Sequence, residues 1–126
     1  MNYPERLREG DTVALLAPSS PISEEEAAAC RRYFEERGYR VRMSGLVSTA
    51  LHGYEAGSPE ERARELNAVF ADPGVRAVFC VRGGNSACRV LEKVNLDAVR
   101  ANPKIFVGYS DITPFHVLFN QRADLI

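Results

Sequence analysis

Short apolar runs alternate along the chain with stretches of helical period. Thr12-Val13-Ala14-Leu15-Leu16-Ala17 is stopped by Pro18-Ser19-Ser20-Pro21, the pattern of a buried strand that ends in a turn. Ser23 and Glu26 form a capping box that predicts a helix to about residue 37, with Ala27, Cys30 and Phe34 inward and Gly38 as its stop. Residues 39–43 alternate apolar and basic side chains, which predicts a strand near a sheet edge. Residues 44–57 then predict a loop that carries His52 and Tyr54, and loops of that length are often functional.

Ser58-Pro59-Glu60-Glu61 supplies an N-cap, a proline at the first helical position and a capping-box glutamate. The helix they open buries Ala63, Leu66 and Phe70 and stops near Asp72-Pro73-Gly74. Ala77-Val78-Phe79-Cys80-Val81 is the most apolar run, the mark of a central strand, and leads straight into Arg82-Gly83-Gly84. Residues 86–94 and 96–101 predict two further helices. Ile105-Phe106-Val107 predicts another buried strand, ending at Gly108-Tyr109-Ser110-Asp111, and residues 112–121 read as a helix with Pro114 in its first turn. Residues 123–126 read as the start of one more strand. The order β-α-β-α-β-α-β-α predicts an α/β fold over residues 1–126: three layers, a mostly parallel sheet with helices on both faces.

Composition narrows the function. With 126 residues, 45% hydrophobic, 26% charged and a formal net charge of -1, the chain reads as one soluble globular domain. It has no basic stripe for nucleic acid. No run approaches the ~20 apolar residues of a membrane span, and residues 1–11 are polar, without the apolar core of a secretory signal. Cys30, Cys80 and Cys88 make no CxxC, and with His52 and His116 they give no zinc spacing. The expectation is a cytoplasmic protein with reduced thiols, no metal and no cofactor.

In open parallel sheets the chemistry gathers at the carboxyl ends of the strands. Three such ends stand out: Pro18-Ser19-Ser20, Arg82-Gly83-Gly84 and Gly108-Tyr109-Ser110-Asp111. The last has the layout of a nucleophile elbow: strand, tight turn with a serine at its apex, helix. It departs from G-x-S-x-G, because Asp111 and Ile112 follow the serine. Ser110 or Asp111 capping the next helix is an alternative reading. Gly83 and Gly84 let the backbone approach a ligand and offer it an N–H; an ordinary strand–helix turn capped by Asn85 or Ser86 is the alternative there. His116 lies six residues past Ser110 and points elsewhere, and His52 faces solvent, so neither supplies the base that a serine nucleophile needs.

These residues, in order, resemble the N-terminal part of the LD-carboxypeptidases, serine peptidases that include the microcin C self-immunity proteins. The resemblance runs through Gly10-Asp11-Thr12-Val13-Ala14, Ala17-Pro18-Ser19-Ser20-Pro21, Tyr54-Glu55-Ala56-Gly57 with Arg62, Leu66-Asn67, and Phe70-Ala71-Asp72-Pro73. Its most specific segments are Arg82-Gly83-Gly84 and Asn102-Pro103-Lys104 through Gly108-Tyr109-Ser110-Asp111-Ile112-Thr113.

The resemblance implies Ser110 as nucleophile, with an oxyanion hole made by the backbone N–H of Asp111 and that of Gly84 (Gly83 as the alternative). It also implies that a glutamate and a histidine complete the triad from a C-terminal domain absent from this chain, which would then be the N-terminal half of a two-domain enzyme and inactive alone. Arg82 and Ser19 are candidate substrate-binding residues. The implied substrates are small peptides: a murein tetrapeptide losing its terminal D-alanine, or a peptidyl-nucleotide. Asn85-Ser86 stands where the family usually has an aromatic residue and a glycine, which leaves the substrate branch open. A non-catalytic flavodoxin-like ligand-binding module is the rival reading. The oligomeric state is open, a homodimer included.

Overall fold

The computed structural model describes residues 1–126 and places four strands side by side, all parallel. They are β1 (Thr12–Leu16), β2 (Arg40–Met43), β5 (Val75–Cys80) and β6 (Ile105–Val107), in the order β2-β1-β5-β6. The alternating apolar and basic strand is indeed an edge, and the two most apolar runs, β1 and β5, fill the middle. From β1 the chain steps outward to β2, then returns to the other side of β1 with β5. That reversal is the topological switch point at which such sheets open a crevice. Leu16 pairs with Cys80 and Phe79 with Val107, so β1, β5 and β6 end within one residue of a common level.

Both capping boxes form. Ser23 opens α1 (Glu24–Glu35) and Ser58 opens α2 (Pro59–Ala71), each with its glutamate returning to the cap backbone. On one face of the sheet, α1 lays Phe34 against Phe79, ring centroids 4.7 Å apart. The other face carries α2, α3 (Cys88–Leu91), α4 (Leu96–Ala101) and α5 (Thr113–Ala123) over the main core. Phe119 is central there, with ring centroids 5.3 Å from Phe70 and 5.0 Å from Phe106. Below the sheet the buried Lys104 amine donates to the carbonyls of Asp72 and Val75, which ties the start of β6 to that of β5.

Three expectations are corrected. Residues 44–57 are not a structureless loop: a 3-10 turn (Gly45–Ser48) leads into an antiparallel ribbon of β3 (Ala50–Leu51) and β4 (Glu55–Ala56), held by Ala56 N–H donating to the Ser19 carbonyl. The helix expected over 86–94 shrinks to α3: the N–H groups of Ser86 and Ala87 bind the Ser19 hydroxyl and the Asp111 carboxylate, and beyond Leu91 the chain tightens into turns in which Lys93 and Val94 donate to the carbonyls of Val90 and Leu91. The strand expected at 123–126 is absent: α5 runs through Ala123, Asp124 is left-handed, and Leu125 makes one bridge with Asn2. No helix is long and apolar enough to cross a membrane.

Phe119→Ala is expected to lower unfolding free energy by about 3–5 kcal/mol, the cost of an aromatic cavity, as a shift in the urea midpoint with m unchanged.

Candidate active site

The level strand ends bring three turns together over β1, β5 and β6. At the end of β6, Gly108 is tight against its neighbours: a Cβ there would stand 2.6 Å from Ile112 Cγ2 and 3.1 Å from Cys80 Cβ. Tyr109 is extended and 85% exposed. Ser110 then turns left-handed, φ +61°, at a residue that has a Cβ. Such a conformation costs of order 1–3 kcal/mol and persists only where the surroundings hold it. What holds it here is the 3-10 turn Ser110–Ile112, which runs directly into α5, with Pro114 in the first turn. The result is a solvent-exposed serine at the apex of a strand–turn–helix.

Capping does not account for these residues. Neither the 3-10 turn nor α5 carries a side-chain cap. The Asp111 carboxylate reaches across the sheet instead, where its Oδ2 accepts from Ser19 Oγ at 2.6 Å and from the Ala87 N–H at 3.0 Å. α3 likewise has no side-chain cap, and Ser86 Oγ is buried without a hydrogen-bond partner.

The glycine turn after β5 faces the elbow. A Cβ on Gly83 would stand 3.1 Å from Ser110 Oγ and 3.3 Å from the Asp111 nitrogen, so any side chain would press on both. Gly84 has φ +150°, and its Cβ would stand 2.2 Å from Ser20 Oγ and 2.5 Å from Ser19 Oγ. Only glycine fits at 84, and at 83 a side chain would have to push Ser110 aside by a few tenths of an ångström. A peptide N–H points opposite to the carbonyl of its own unit, so anchoring the carbonyl aims the N–H. The Gly83 carbonyl accepts the Ser20 N–H at 3.2 Å, which fixes the unit carrying the Gly84 N–H. The Ser110 carbonyl accepts the Thr113 N–H, which fixes the unit carrying the Asp111 N–H.

The remaining predicted residues fall into place around this centre. Arg82 is exposed at the rim, one guanidinium nitrogen donating to the Pro21 carbonyl at 3.2 Å. Ser19 is fully buried with its hydroxyl spent on Asp111, which leaves it no atom for a substrate. His116 is half-buried: Nε2 lies 2.9 Å from the Gly108 carbonyl, and the ring packs edge-on against Phe106. His52 is exposed in the β3–β4 turn. Neither histidine is placed as a base. Burial pushes the Cys80 thiol far up, which keeps it protonated and inert.

One element of the site's support escaped the residue-level reading. Glu55 and Arg62 are both buried, their charged groups 3.7 Å apart, with Arg89 3.4 Å from the same Glu55 oxygen. Arg62 also donates to the carbonyls of Gly57 and Ser86, and so ties the ribbon and α2 to the glycine turn. Burial lowers the Arg62 pKa, and Glu55 opposes that shift. The signal was in the sequence: Arg62 stands on the inner stripe of α2 with Leu66 and Phe70, where a charge must be paired.

A parallel α/β sheet with a left-handed serine between a strand end and a helix has the layout of a nucleophile elbow. The family model for the LD-carboxypeptidase N-terminal domain matches residues 13–126, and the chain belongs to that family. It is 38% identical over 127 residues to the probable murein peptide carboxypeptidase of Bacillus subtilis (strain 168), covering 100% of this chain and 40% of the relative. It is 31% identical over 123 residues to the microcin C7 self-immunity protein MccF of Escherichia coli, covering 93% and 35%. The crystal structure of an MccF-like protein from Bacillus anthracis str. Ames superposes with a TM-score of 0.91 at 28% identity, over 99% of this chain and 39% of that one. The chain thus spans about 40% of the length of the first of these relatives.

Gly84→Ala is expected to cost about 1–3 kcal/mol through its backbone conformation, with the Ser20 contact adding to that. Chemical denaturation checks this: a change within the ±0.5 kcal/mol of a neutral surface substitution would contradict the close approach.

Proposed function

We propose that this chain supplies the nucleophile and oxyanion hole of a serine carboxypeptidase that hydrolyses an L,D-amide bond, such as the one holding the terminal D-alanine of a murein tetrapeptide. The observation that carries the reading is Ser110: exposed, left-handed, and set against Gly83 beside the Asp111 amide. Its oxygen attacks the amide carbonyl carbon, and its proton passes to a histidine oriented by a glutamate. Both of these come from a domain outside these residues, because His116 is committed to Gly108 and His52 lies in the ribbon turn. The negative charge that develops on the carbonyl oxygen is met by the Asp111 and Gly84 N–H groups, which are aimed before the reaction starts and need no reorganisation.

As the tetrahedral intermediate collapses, the C–N bond breaks and the leaving amine takes the proton from the histidine. Water, deprotonated by the same histidine, then attacks the acyl-serine ester and releases the shortened peptide. Arg82, exposed at the rim, is the candidate for the substrate's terminal carboxylate. The reaction belongs to the cytoplasm. The same machinery suits the amide of a peptidyl-nucleotide, and one solved relative is MccF in complex with aspartyl sulfamoyl adenosine.

The test measures release of D-alanine from an L,D-tetrapeptide, and cleavage of a peptidyl-nucleotide, by the full-length protein. Ser110→Ala is expected to lower turnover by roughly a thousandfold or more, and the 126-residue chain alone is expected to show none above background. A fluorophosphonate should label Ser110 in the full-length protein. Turnover that survives Ser110→Ala would contradict the nucleophile, and an unlabelled Ser110 would favour a non-catalytic ligand-binding module.

A further inference from the structure

We infer that Ser19 is a positioning residue of the oxyanion hole, acting through the carboxylate of Asp111. The inference rests on the hydrolase reading above and goes beyond it, because it gives a role to two side chains that neither attack nor protonate the substrate. Ser19 is 0% exposed, and burying a hydroxyl is costly unless it is hydrogen-bonded. Here it donates to Asp111 Oδ2 at 2.6 Å and accepts the Ser86 N–H at 3.3 Å. Asp111 Oδ2 accepts the Ala87 N–H at 3.0 Å as well. One carboxylate oxygen and one hydroxyl therefore join the turns after β1, β5 and β6.

The geometry shows why this matters to the oxyanion. Asp111 carries one of the two donors on its own backbone. Its peptide unit is pinned on one side by the Ser110 carbonyl and on the other by the anchored carboxylate. The second donor belongs to the glycine turn, and Ser19 Oγ lies 2.5 Å from where a Gly84 Cβ would be. Ser19 thus lies beside both halves of the hole and acts on it through its bond to Asp111; without that hydroxyl the carboxylate keeps only the Ala87 N–H. A displacement on the ångström scale at such a site costs about a hundredfold in rate without loosening ground-state binding to match.

The test uses the full-length protein with Ser19→Ala, Asp111→Ala, Asp111→Asn and the Ser19→Ala/Asp111→Ala pair. Each is measured by tetrapeptide kinetics and by the affinity of a peptide boronate that forms a tetrahedral adduct on Ser110. Ser19→Ala is expected to lower kcat about tenfold to a hundredfold with KM within about twofold. Boronate affinity should weaken by the factor lost in kcat/KM. Both bonds on Asp111 fall on Oδ2, so the asparagine carbonyl can accept both, and Asp111→Asn should lose less than Asp111→Ala. The paired variant should lose no more than Asp111→Ala alone, because the two act through one contact.

A purely structural role would lower the active fraction but leave the boronate affinity of the remaining molecules unchanged. That result, additive losses in the pair, or wild-type kcat in Ser19→Ala overturns the inference. Should Ser19→Ala not fold, the asparagine–alanine contrast at Asp111 decides alone, and equal losses there overturn it. Failure of the hydrolase reading is separate: it shows as turnover in Ser110→Ala, whatever Ser19 does.

Discussion

The parallel pairing that levels the ends of β1, β5 and β6 is the constraint on which the site depends. Backbone groups at those ends have left the sheet ladder and must find other partners. They find them in a neighbouring turn, in β4 and in α5. Ser20 holds the Gly83 carbonyl, Ala56 holds the Ser19 carbonyl, and His116 lies in hydrogen-bond range of the Gly108 carbonyl. A slip of β6 by one residue against β5 would separate the double glycine from the serine and turn Phe106 away from Phe119, to the face that Phe79 occupies. The aromatic cluster beneath, anchored by Phe70, Phe106 and Phe119, is what makes that slip costly. Packing on one face of the sheet therefore sets geometry at its end.

A strained residue needs this kind of surrounding. Ser110 sits where glycine is the usual occupant, and a glycine there would leave the turn without its exposed hydroxyl. The fold accepts the cost because the 3-10 turn, α5 and the tight packing around Gly108 leave the chain no other path. Behind the turn, the Glu55–Arg62 pair adds a charged brace to the glycine loop. A lone buried charge would be costly, but this one is paired and bonded to two carbonyls.

Much of this was legible in the chain because its signals are local. Ser23 with Glu26 and Ser58 with Glu61 announce their helices within four residues, and both form as expected. The apolar runs of β1 and β5 announce a two-sided burial that only inner strands have. Ser110 was visible as a serine between a buried strand and a helix. Asp111 was harder: its local preference is to cap, and its actual partner is 92 residues away at Ser19. Residues 44–57 hid a two-residue ribbon, too short for any period to show. The acceptors of the Ser86 and Ala87 N–H groups, at Ser19 and Asp111, are likewise distant in sequence and leave no local signal.

In the proposed reaction two backbone amides, one from each side, converge on the oxygen of a carbonyl attacked by Ser110. The most direct measurement is a crystal structure of the full-length protein with a peptide aldehyde bound as its tetrahedral adduct. The expected result is an adduct on Ser110 Oγ whose former carbonyl oxygen lies about 2.7–3.1 Å from both the Asp111 and Gly84 nitrogens. An adduct on another residue, or an oxygen turned to solvent with neither amide in range, would contradict it.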